Sequence, residues 1–242
     1  MSELVRVPTY TAAQVRAAEA PLLTAGEPLM ARAAAALGHL VRGELAGDTD
    51  TRATGSHAAA STGRGRILVL AGSGDNGADA LYAASALADV ADVDIVLTGS
   101  RAHPEALAAA RATGATPIDV ADVDPRAYDI VIDGILGIGT AADPALRGVA
   151  RRVVSALLPA VREGRPRVVA ADLPSGLHPD TGETSDDVVL PASLTVTFGA
   201  VKAGLPAAPH VTGRIVLVEL GLRLPDGGGT ADVARYVHVT GV

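Results

Sequence analysis

Residues 66–80 read RILVLAGSGDNGADA, which predicts a buried strand, a glycine loop and the start of a helix. The loop has the Gly-x-Gly-x-x-Gly spacing that lets a backbone approach a pyrophosphate at a helix N-terminus. Two carboxylates, Asp75 and Asp79, disfavour a phosphate there, and no acid ends the next strand to bind a ribose. Residues 98–101, Thr-Gly-Ser-Arg, would instead suit a 2′-phosphate. An NADP-dependent oxidoreductase is therefore a minor hypothesis from this stretch.

The strand–helix pattern continues along the chain. Most of the strands are continuous β-branched runs, which are typical of a parallel sheet covered by helices on both faces. The predicted fold class is α/β, with a doubly wound, mostly parallel sheet in a three-layer α/β/α arrangement that binds ligands at the carboxyl ends of its strands. The predicted strands are 66–71, 94–98, 129–133, 167–171, 194–198 and 214–219, and the helices between them are 78–87, 104–112 and 144–161, the last capped by Asp143.

The residues before this pattern predict two helices and a loop. Thr11 to Gln14 has the Thr-x-x-Gln form of a capping box, so a helix should begin there. A second helix is predicted over about residues 27–45 from the spacing of its apolar residues. Residues 47–65 contain no large apolar side chain and gain little from burial, so they are predicted to form a mobile surface loop. The whole chain, 1–242, is predicted to be one domain.

Composition excludes several classes of protein. The chain has 242 residues, of which 48% are hydrophobic and 19% charged, as in folded globular domains. Its net charge of −7 argues against nucleic acid as a partner, and the lack of cysteine excludes disulfides and thiolate metal sites. No apolar run is long enough to cross a membrane, so a cytoplasmic location is predicted. Lys202 is the only lysine and Asn76 the only asparagine, which makes both candidates for special chemistry.

Oxygen-bearing side chains follow three of the predicted strands. Asn76 follows the first strand, Asp133 ends the third, and Asp172 and Ser175 follow the fourth. The carboxyl ends of parallel strands meet at one edge of the sheet, so these side chains should lie close together. Oxygen ligands without thiolates or paired histidines suit a hard cation.

Five segments of the chain together resemble one known family. They are 72–80 (GSGDNGADA), 131–139 (VIDGILGIG), 172–177 (DLPSGL) with Thr181-Gly182, 195–199 (TVTFG) and 202–205 (KAGL). Their order and spacing are similar to those of the NAD(P)HX epimerases, the YjeF N-terminal domain family, over about residues 11–222. The combination is far more specific than a lone glycine loop.

The resemblance implies a Rossmann-like isomerase that interconverts the R and S forms of hydrated NADH and NADPH at C6 of the nicotinamide ring. It implies a potassium ion bound by Asn76, Asp133 and Ser175. It also implies a small-molecule substrate, a homodimer and functional coupling to an NAD(P)HX dehydratase. The substrate-binding residues that it implies are Asp75, Asn76, Gly77, Ala78, Asp79, Gly137, Ile138, Gly139, Thr140, Ala141, Ala142, Asp143 and Asp172.

The chain departs from the family pattern at two positions. Ala78 stands where the family usually has glycine, and a methyl group there could crowd a ligand that approaches the backbone closely. Ala31 stands where an acid usually follows Leu-Met. A catalytically altered or inactive module that binds nucleotides or partner proteins is therefore the alternative hypothesis.

The implied reaction needs proton transfer at the C6 hydroxyl. Inversion proceeds either by loss and return of hydroxide through an iminium ion or by ring opening to an aldehyde and reclosure. A carboxylate within reach can serve as acid and base in both routes. Asp172 is the first candidate and Asp79 the second, while Lys202 is expected to orient a carboxylate or contact the phosphates.

Overall fold

The computed structural model describes residues 4–54, 64–139 and 143–237, and within them lies a ten-stranded sheet. The strands are β1 Val5–Tyr10, β2 Gly65–Ala71, β3 Ala91–Leu97, β4 Thr116–Pro117, β5 Ile130–Gly134, β6 Arg167–Ala171, β7 Leu194–Phe198, β8 Val201–Lys202, β9 Arg214–Glu219 and β10 Gly229–Val237.

The strands lie in the order β4-β3-β2-β5-β6-β7-β9-β10-β1-β8. All neighbouring pairs are parallel except β1 with β10, which is antiparallel. All six predicted strands are confirmed, with small shifts at their ends. The sequence reading missed β1, β4, β8 and β10.

Helices lie on both faces of the sheet. Ile67 and Val69 of β2 point into one buried cluster, and Leu68 and Leu70 point into another on the opposite face. Full burial of each such side chain contributes roughly 1.5–3 kcal/mol, which is why a strand apolar on both faces belongs inside three layers. The α/β prediction is confirmed. The helices are α1 Ala12–Thr24, α2 Leu29–Thr54, α3 Asp75–Ala86, α4 Pro104–Ala112, α5 Gly148–Arg162, α6 Gly204–Ala207 and α7 Pro209–Thr212, with 3₁₀ turns at Val120–Asp122 and Pro125–Ala127.

The N-terminal helices differ partly from their prediction. The capping box is confirmed, because the Thr11 hydroxyl accepts a hydrogen bond from Gln14 N and the Gln14 side chain accepts one from Thr11 N. Helix α2 continues to Thr54, so residues 47–54 are helical and do not form the predicted loop. The rest of that predicted loop, 55–63, lies outside the described residues, and Gly65 already begins β2.

Two later helices also begin at residues other than those predicted. Helix α3 begins at Asp75 and not at Ala78, so the glycine loop is shorter than expected. Asp143 does not cap α5, which begins at Gly148 after Arg147. The Asp143 carboxylate instead accepts hydrogen bonds from Ala145 N and the Arg147 guanidinium, and these hold the connecting loop ahead of the helix.

No helix in the described ranges has both the length and the apolar character needed to cross a lipid bilayer.

Candidate active site

Two adjoining cavities lie at the carboxyl edge of the sheet. The larger has a volume of about 550 Å³ and the smaller about 200 Å³. Asp75, Asn76 and Ile138 line both, so the two cavities meet at the start of α3. This is the edge at which a doubly wound sheet binds its ligands.

The larger cavity is built from the loops that follow β2, β3 and β5. Its walls include the glycine loop 72–74, Thr98 and Gly99, and the segment 135–139. Gly72 permits this arrangement, because a Cβ at that position would lie 1.9 Å from the Ile135 carbonyl oxygen. The backbones after β2 and β5 therefore approach each other more closely than any side chain would allow.

The smaller cavity lies between strand ends and the two N-terminal helices. One part of its lining comes from the start of α3, from the last residue of β7 and from the residues after β6 and β9, and the other part comes from α1 and the start of α2. The first part carries Asp75, Asn76, Asp79, Asp172, Phe198 and Leu220, and the second carries Glu19, Leu23, Leu29, Met30 and Ala33.

Asp172 and Lys202 form a buried ion pair beside the smaller cavity. The Lys202 ammonium donates to Asp172 Oδ1, to the Phe198 carbonyl oxygen at 2.9 Å and to Thr197 Oγ1 at 3.2 Å, which uses its three protons. Asp172 Oδ1 also accepts from Thr197 Oγ1 and Phe198 N, each at 3.2 Å. Among the described residues none donates to Asp172 Oδ2. One carboxylate oxygen is thus fixed while the other is available at the cavity.

The backbone of Asp172 is also unusual. Its φ angle is 69°, and among the described residues it is the only non-glycine residue with a positive φ. A left-handed conformation of this kind costs a non-glycine residue of order 1–3 kcal/mol, less for Asp and Asn than for others. The hydrogen bonds to Oδ1 hold the residue in this conformation directly after β6.

Asp79 is a buried carboxyl group with an unsatisfied oxygen. It lies on α3, lines the smaller cavity and is 5% exposed. No described residue forms a hydrogen bond with its Oδ1 atom. Burial raises the pKa of Asp79 well above its ordinary value, and the nearby charges of Asp172, Asp75 and Glu19 raise it further. Asp79 therefore holds a proton to a higher pH than an exposed aspartate does.

Asp133, Ser175 and Asn76 form a second polar cluster, under the larger cavity. Asp133 is 1% exposed; its Oδ1 accepts from Ser175 Oγ at 2.6 Å and its Oδ2 from Ser175 N at 2.8 Å. Asn76 Nδ2 donates to the Leu136 and Ala171 carbonyl oxygens at 3.0 and 2.7 Å. Burial raises the pKa of Asp133, and the hydrogen bonds from Ser175 and Ile135 oppose that rise. The structure thus brings together all three residues implied as potassium ligands.

Only some of the residues predicted to contact the substrate line a cavity. Gly77 and Ala78 line neither cavity among the described residues. The Ala78 methyl group is fully buried in the apolar cluster between α3 and the sheet, so it does not crowd the cavities. Gly137, Ile138, Gly139 and Asp143 do line the larger cavity. Thr140, Ala141 and Ala142 lie outside the described residues.

Helix α1 contributes two residues that the sequence reading missed. Glu19 lines the smaller cavity, and Arg16 Nη1 donates to the Ile138 carbonyl oxygen at 2.5 Å. A weak signal for Glu19 exists in the sequence: it lies four residues after Val15, on the helix face that Val15 buries. A carboxylate on a buried face is uncommon and calls for a partner or a cavity.

Comparison with protein families gives one matching model. Residues 26–204 match the family described as YjeF-related protein N-terminus.

Curated relatives match most of the chain. The "NAD(P)H-hydrate epimerase" of Microbacterium testaceum is 51% identical over 222 residues, which cover 90% of this chain and 80% of the relative. That of Clavibacter sepedonicus is 48% identical, covering 93% and 96%. The "Bifunctional NAD(P)H-hydrate repair enzyme Nnr" of Mycobacterium leprae is 38% identical and covers 96% of this chain but 46% of the longer relative.

A solved structure has the same fold. The crystal structure of yeast ynu0 superposes with a TM-score of 0.64 at 16% identity, covering 82% of this chain and 83% of that one.

Proposed function

Because this chain belongs to the family of YjeF-related protein N-termini, we propose that it is an isomerase that interconverts the R and S forms of hydrated NADH and NADPH. The observation that carries the proposal is the geometry of Asp172. Lys202 fixes one of its carboxylate oxygens, and the other is left for a ligand in the smaller cavity. Burying two charges costs several kcal/mol per ion, so a buried pair at the cavity favours a role in the chemistry there.

We place the substrate across both cavities. The larger, at about 550 Å³, has the size of pockets that enclose nucleotides and other drug-sized ligands. The smaller, at about 200 Å³, suits a single ring. Leu29, Met30 and Phe198 supply apolar contacts for the hydrated dihydropyridine ring, and the carboxyl groups face its hydroxyl.

In this arrangement Asp172 exchanges a proton with the C6 hydroxyl of the substrate. Such a group contributes roughly 10²–10⁴-fold to a rate when it is in hydrogen-bond reach. Lys202 holds Asp172 in position through the hydrogen bond from its ammonium group. Asp79, with a raised pKa and a free buried oxygen, is a second group that can hold a proton beside the ring.

We further propose a potassium site at Asn76, Asp133 and Ser175. In the described ranges no three His, Cys, Asp or Glu side chains are grouped to hold a metal ion, so a site here must combine one carboxylate with neutral oxygens. Asp133 fits that requirement, because it is fully buried and only neutral groups donate to it, which leaves its charge uncompensated. Bound potassium would supply positive charge beside the substrate phosphates.

The bifunctional relatives support a coupling of this reaction to dehydration of the same hydrate. We propose that this chain supplies a dehydratase with the epimer that the dehydratase accepts. A homodimer and a cytoplasmic location remain our proposals, and sedimentation of the purified chain tests the first of them.

The proposed activity is tested directly with purified protein. Separated R or S hydrate of NADH or NADPH is added, and the approach to the epimer equilibrium is followed by NMR or chiral separation against the uncatalysed rate. Faster equilibration supports the proposal. If the protein binds the hydrates without accelerating exchange, it is the altered or inactive binding module instead.

A further inference from the structure

Glu19 is a half-buried carboxylate that lines the smaller cavity together with Asp172. It lies on α1, whereas Asp172 follows β6, so the two carboxyl groups reach the cavity from different elements. The charges around it come from Lys202, Asp172, Asp75 and Arg16, and no described residue donates a hydrogen bond to its carboxylate. A partly desolvated carboxylate without a partner is costly, so its position calls for a ligand.

Helix α1 holds Glu19 in a defined place. The start of the helix is fixed by its capping box and by Ala12 N, which donates to Asp180 Oδ1 at 2.6 Å. Val15, one turn before Glu19, is fully buried. Arg16 ties the same turn to the Ile138 carbonyl oxygen between the two cavities. The capping box, Val15 and Arg16 thus fix the helix that carries Glu19.

The charge of the cavity favours one of the two possible routes. Among the described residues four carboxyl groups and no cationic side chain line it. Loss of the C6 hydroxyl gives a cationic iminium ring, whereas ring opening gives a neutral aldehyde. Carboxyl oxygens at the ring stabilise developing positive charge, so this environment favours the iminium route.

On the premise of the proposed epimerase activity, we propose that Glu19 is a second catalytic carboxyl group, which works on the ring face opposite Asp172 in an iminium mechanism. In one direction, protonated Glu19 donates its proton to the departing hydroxyl as the C6–O bond breaks. The N1 lone pair forms the C6=N1 double bond and a water molecule leaves.

Water then adds to C6 from the other face. Ionised Asp172 accepts the proton of that water as the new C6–O bond forms and the electron pair returns to N1. One water leaves and one enters, and one proton moves from Glu19 to Asp172. The proton returns to Glu19 either by the reverse epimerisation or by exchange of both carboxyl groups with solvent water, so no external oxidant, reductant or base is consumed.

The ionisation of Glu19 agrees with this role. Burial raises the pKa of Glu19; the charges of Asp172 and Asp75 add to the rise, and those of Lys202 and Arg16 oppose it. Asp79 also faces Glu19 from α3. A carboxyl group so placed retains a proton at higher pH than an exposed glutamate does.

The test compares Glu19→Gln with Glu27→Gln, a matched control in the exposed loop after α1. We expect Glu19→Gln to slow epimer exchange by roughly 10²-fold with a melting temperature no lower than that of the wild type, because it removes a partly desolvated carboxylate. Glu27→Gln should leave the exchange rate unchanged. Because Glu19 must be protonated to release the hydroxyl, the wild-type rate should fall as pH rises through the pKa of Glu19, and Glu19→Gln should lose this alkaline limb. Glu19→Asp, which keeps a carboxyl group, should recover part of the rate.

A second measurement uses water labelled with ¹⁸O. Each inversion should place one solvent oxygen on C6, after subtraction of the uncatalysed exchange. Inversion with the original oxygen retained, or Glu19→Gln exchanging within twofold of Glu27→Gln, would overturn this inference while leaving the epimerase activity established. A wild-type protein with no exchange activity would instead remove the proposed function itself.

Discussion

Asp133 and Asp172 follow neighbouring parallel strands, β5 and β6, and both are almost fully buried, yet they are compensated in different ways. Asp133 accepts hydrogen bonds on both oxygens, all from neutral groups of Ser175 and Ile135. Asp172 has a cationic partner, Lys202, and all its described hydrogen bonds fall on one oxygen.

This difference suits Asp133 to cation binding and Asp172 to proton transfer. A carboxylate whose two oxygens are both held by neutral donors is rigid and retains an uncompensated charge, which suits a resident cation. A carboxylate held at one oxygen by an ammonium group is oriented, and its second oxygen is available to accept and return a proton. The two clusters can therefore be told apart by substitution.

Asp172→Asn gives the largest expected effect. Asparagine has nearly the same shape and tolerates the left-handed backbone of this position, so the variant should fold. Epimer exchange should slow by roughly 10²–10⁴-fold with substrate binding retained. NMR or chiral separation of the hydrate measures the rate. A folded variant that exchanges within a few-fold of wild type would show that another residue, first Asp79, transfers the proton.

Lys202→Met tests the ion pair through stability. Removing one partner leaves the other charge buried, which costs about 3–5 kcal/mol. Urea denaturation should show this loss, and the double variant Lys202→Met, Asp172→Asn should recover part of it. Equal stabilities of the single and double variants would mean that the pair is not coupled as the geometry indicates.

Asp79→Asn removes a third buried carboxyl group. Unlike Asp133 and Asp172, Asp79 has neither neutral donors to Oδ1 nor a cationic partner among the described residues. Because burial raises its folded-state pKa above the ordinary value of 3.8, the folded state binds the proton more tightly than the unfolded state. Between these two pKa values wild-type stability should fall with rising pH by about 1.4 kcal/mol per pH unit from this group. The variant should be more stable at neutral pH and show a flatter curve. Parallel curves for both proteins in urea titrations at several pH values would contradict the assignment.

The smallest expected effect concerns the cation. Potassium at ten times its Kd should stabilise the folded chain by about 1.4 kcal/mol. Thermal unfolding in potassium, in sodium and without either salt, at constant ionic strength, measures this. Asp133→Asn and Asn76→Ala should lose the dependence on potassium, and Asn76→Ala should also weaken ligand binding. Identical behaviour of the wild-type protein in all three solutions would refute the site.

The central sheet and much of the site could be predicted because their signals are local. Most central strands are short runs of aliphatic residues buried on both faces, and three of them, β2, β5 and β6, carry or are followed by the polar residues that the sheet topology brings together. The composition singled out Lys202 as the one lysine, and in the structure its ammonium group donates a hydrogen bond to Asp172.

The strands and site residues that could not be predicted depend on contacts between distant parts of the chain. β1 contains a proline and has no continuous apolar run; it is a strand because β10 and β8 pair with it. Glu19 is one acid among 27 acidic residues, and only the docking of α1 over the strand ends gives it a place in the cavity. Asp143 had the sequence of a cap, but Arg147 and Ser185 bind its carboxylate instead.

The position of β1 has a consequence for how the chain folds. β1 lies between β10 and β8, strands that are made more than 190 residues later, so it cannot pair until the chain has been synthesised at least through residue 202. Contacts of such high sequence separation form slowly because loop closure precedes any gain from pairing. Helix α1 follows β1, and we therefore expect the second part of the lining of the smaller cavity to be completed last. A nascent chain would carry the Asp172 side of the site well before it could turn over substrate.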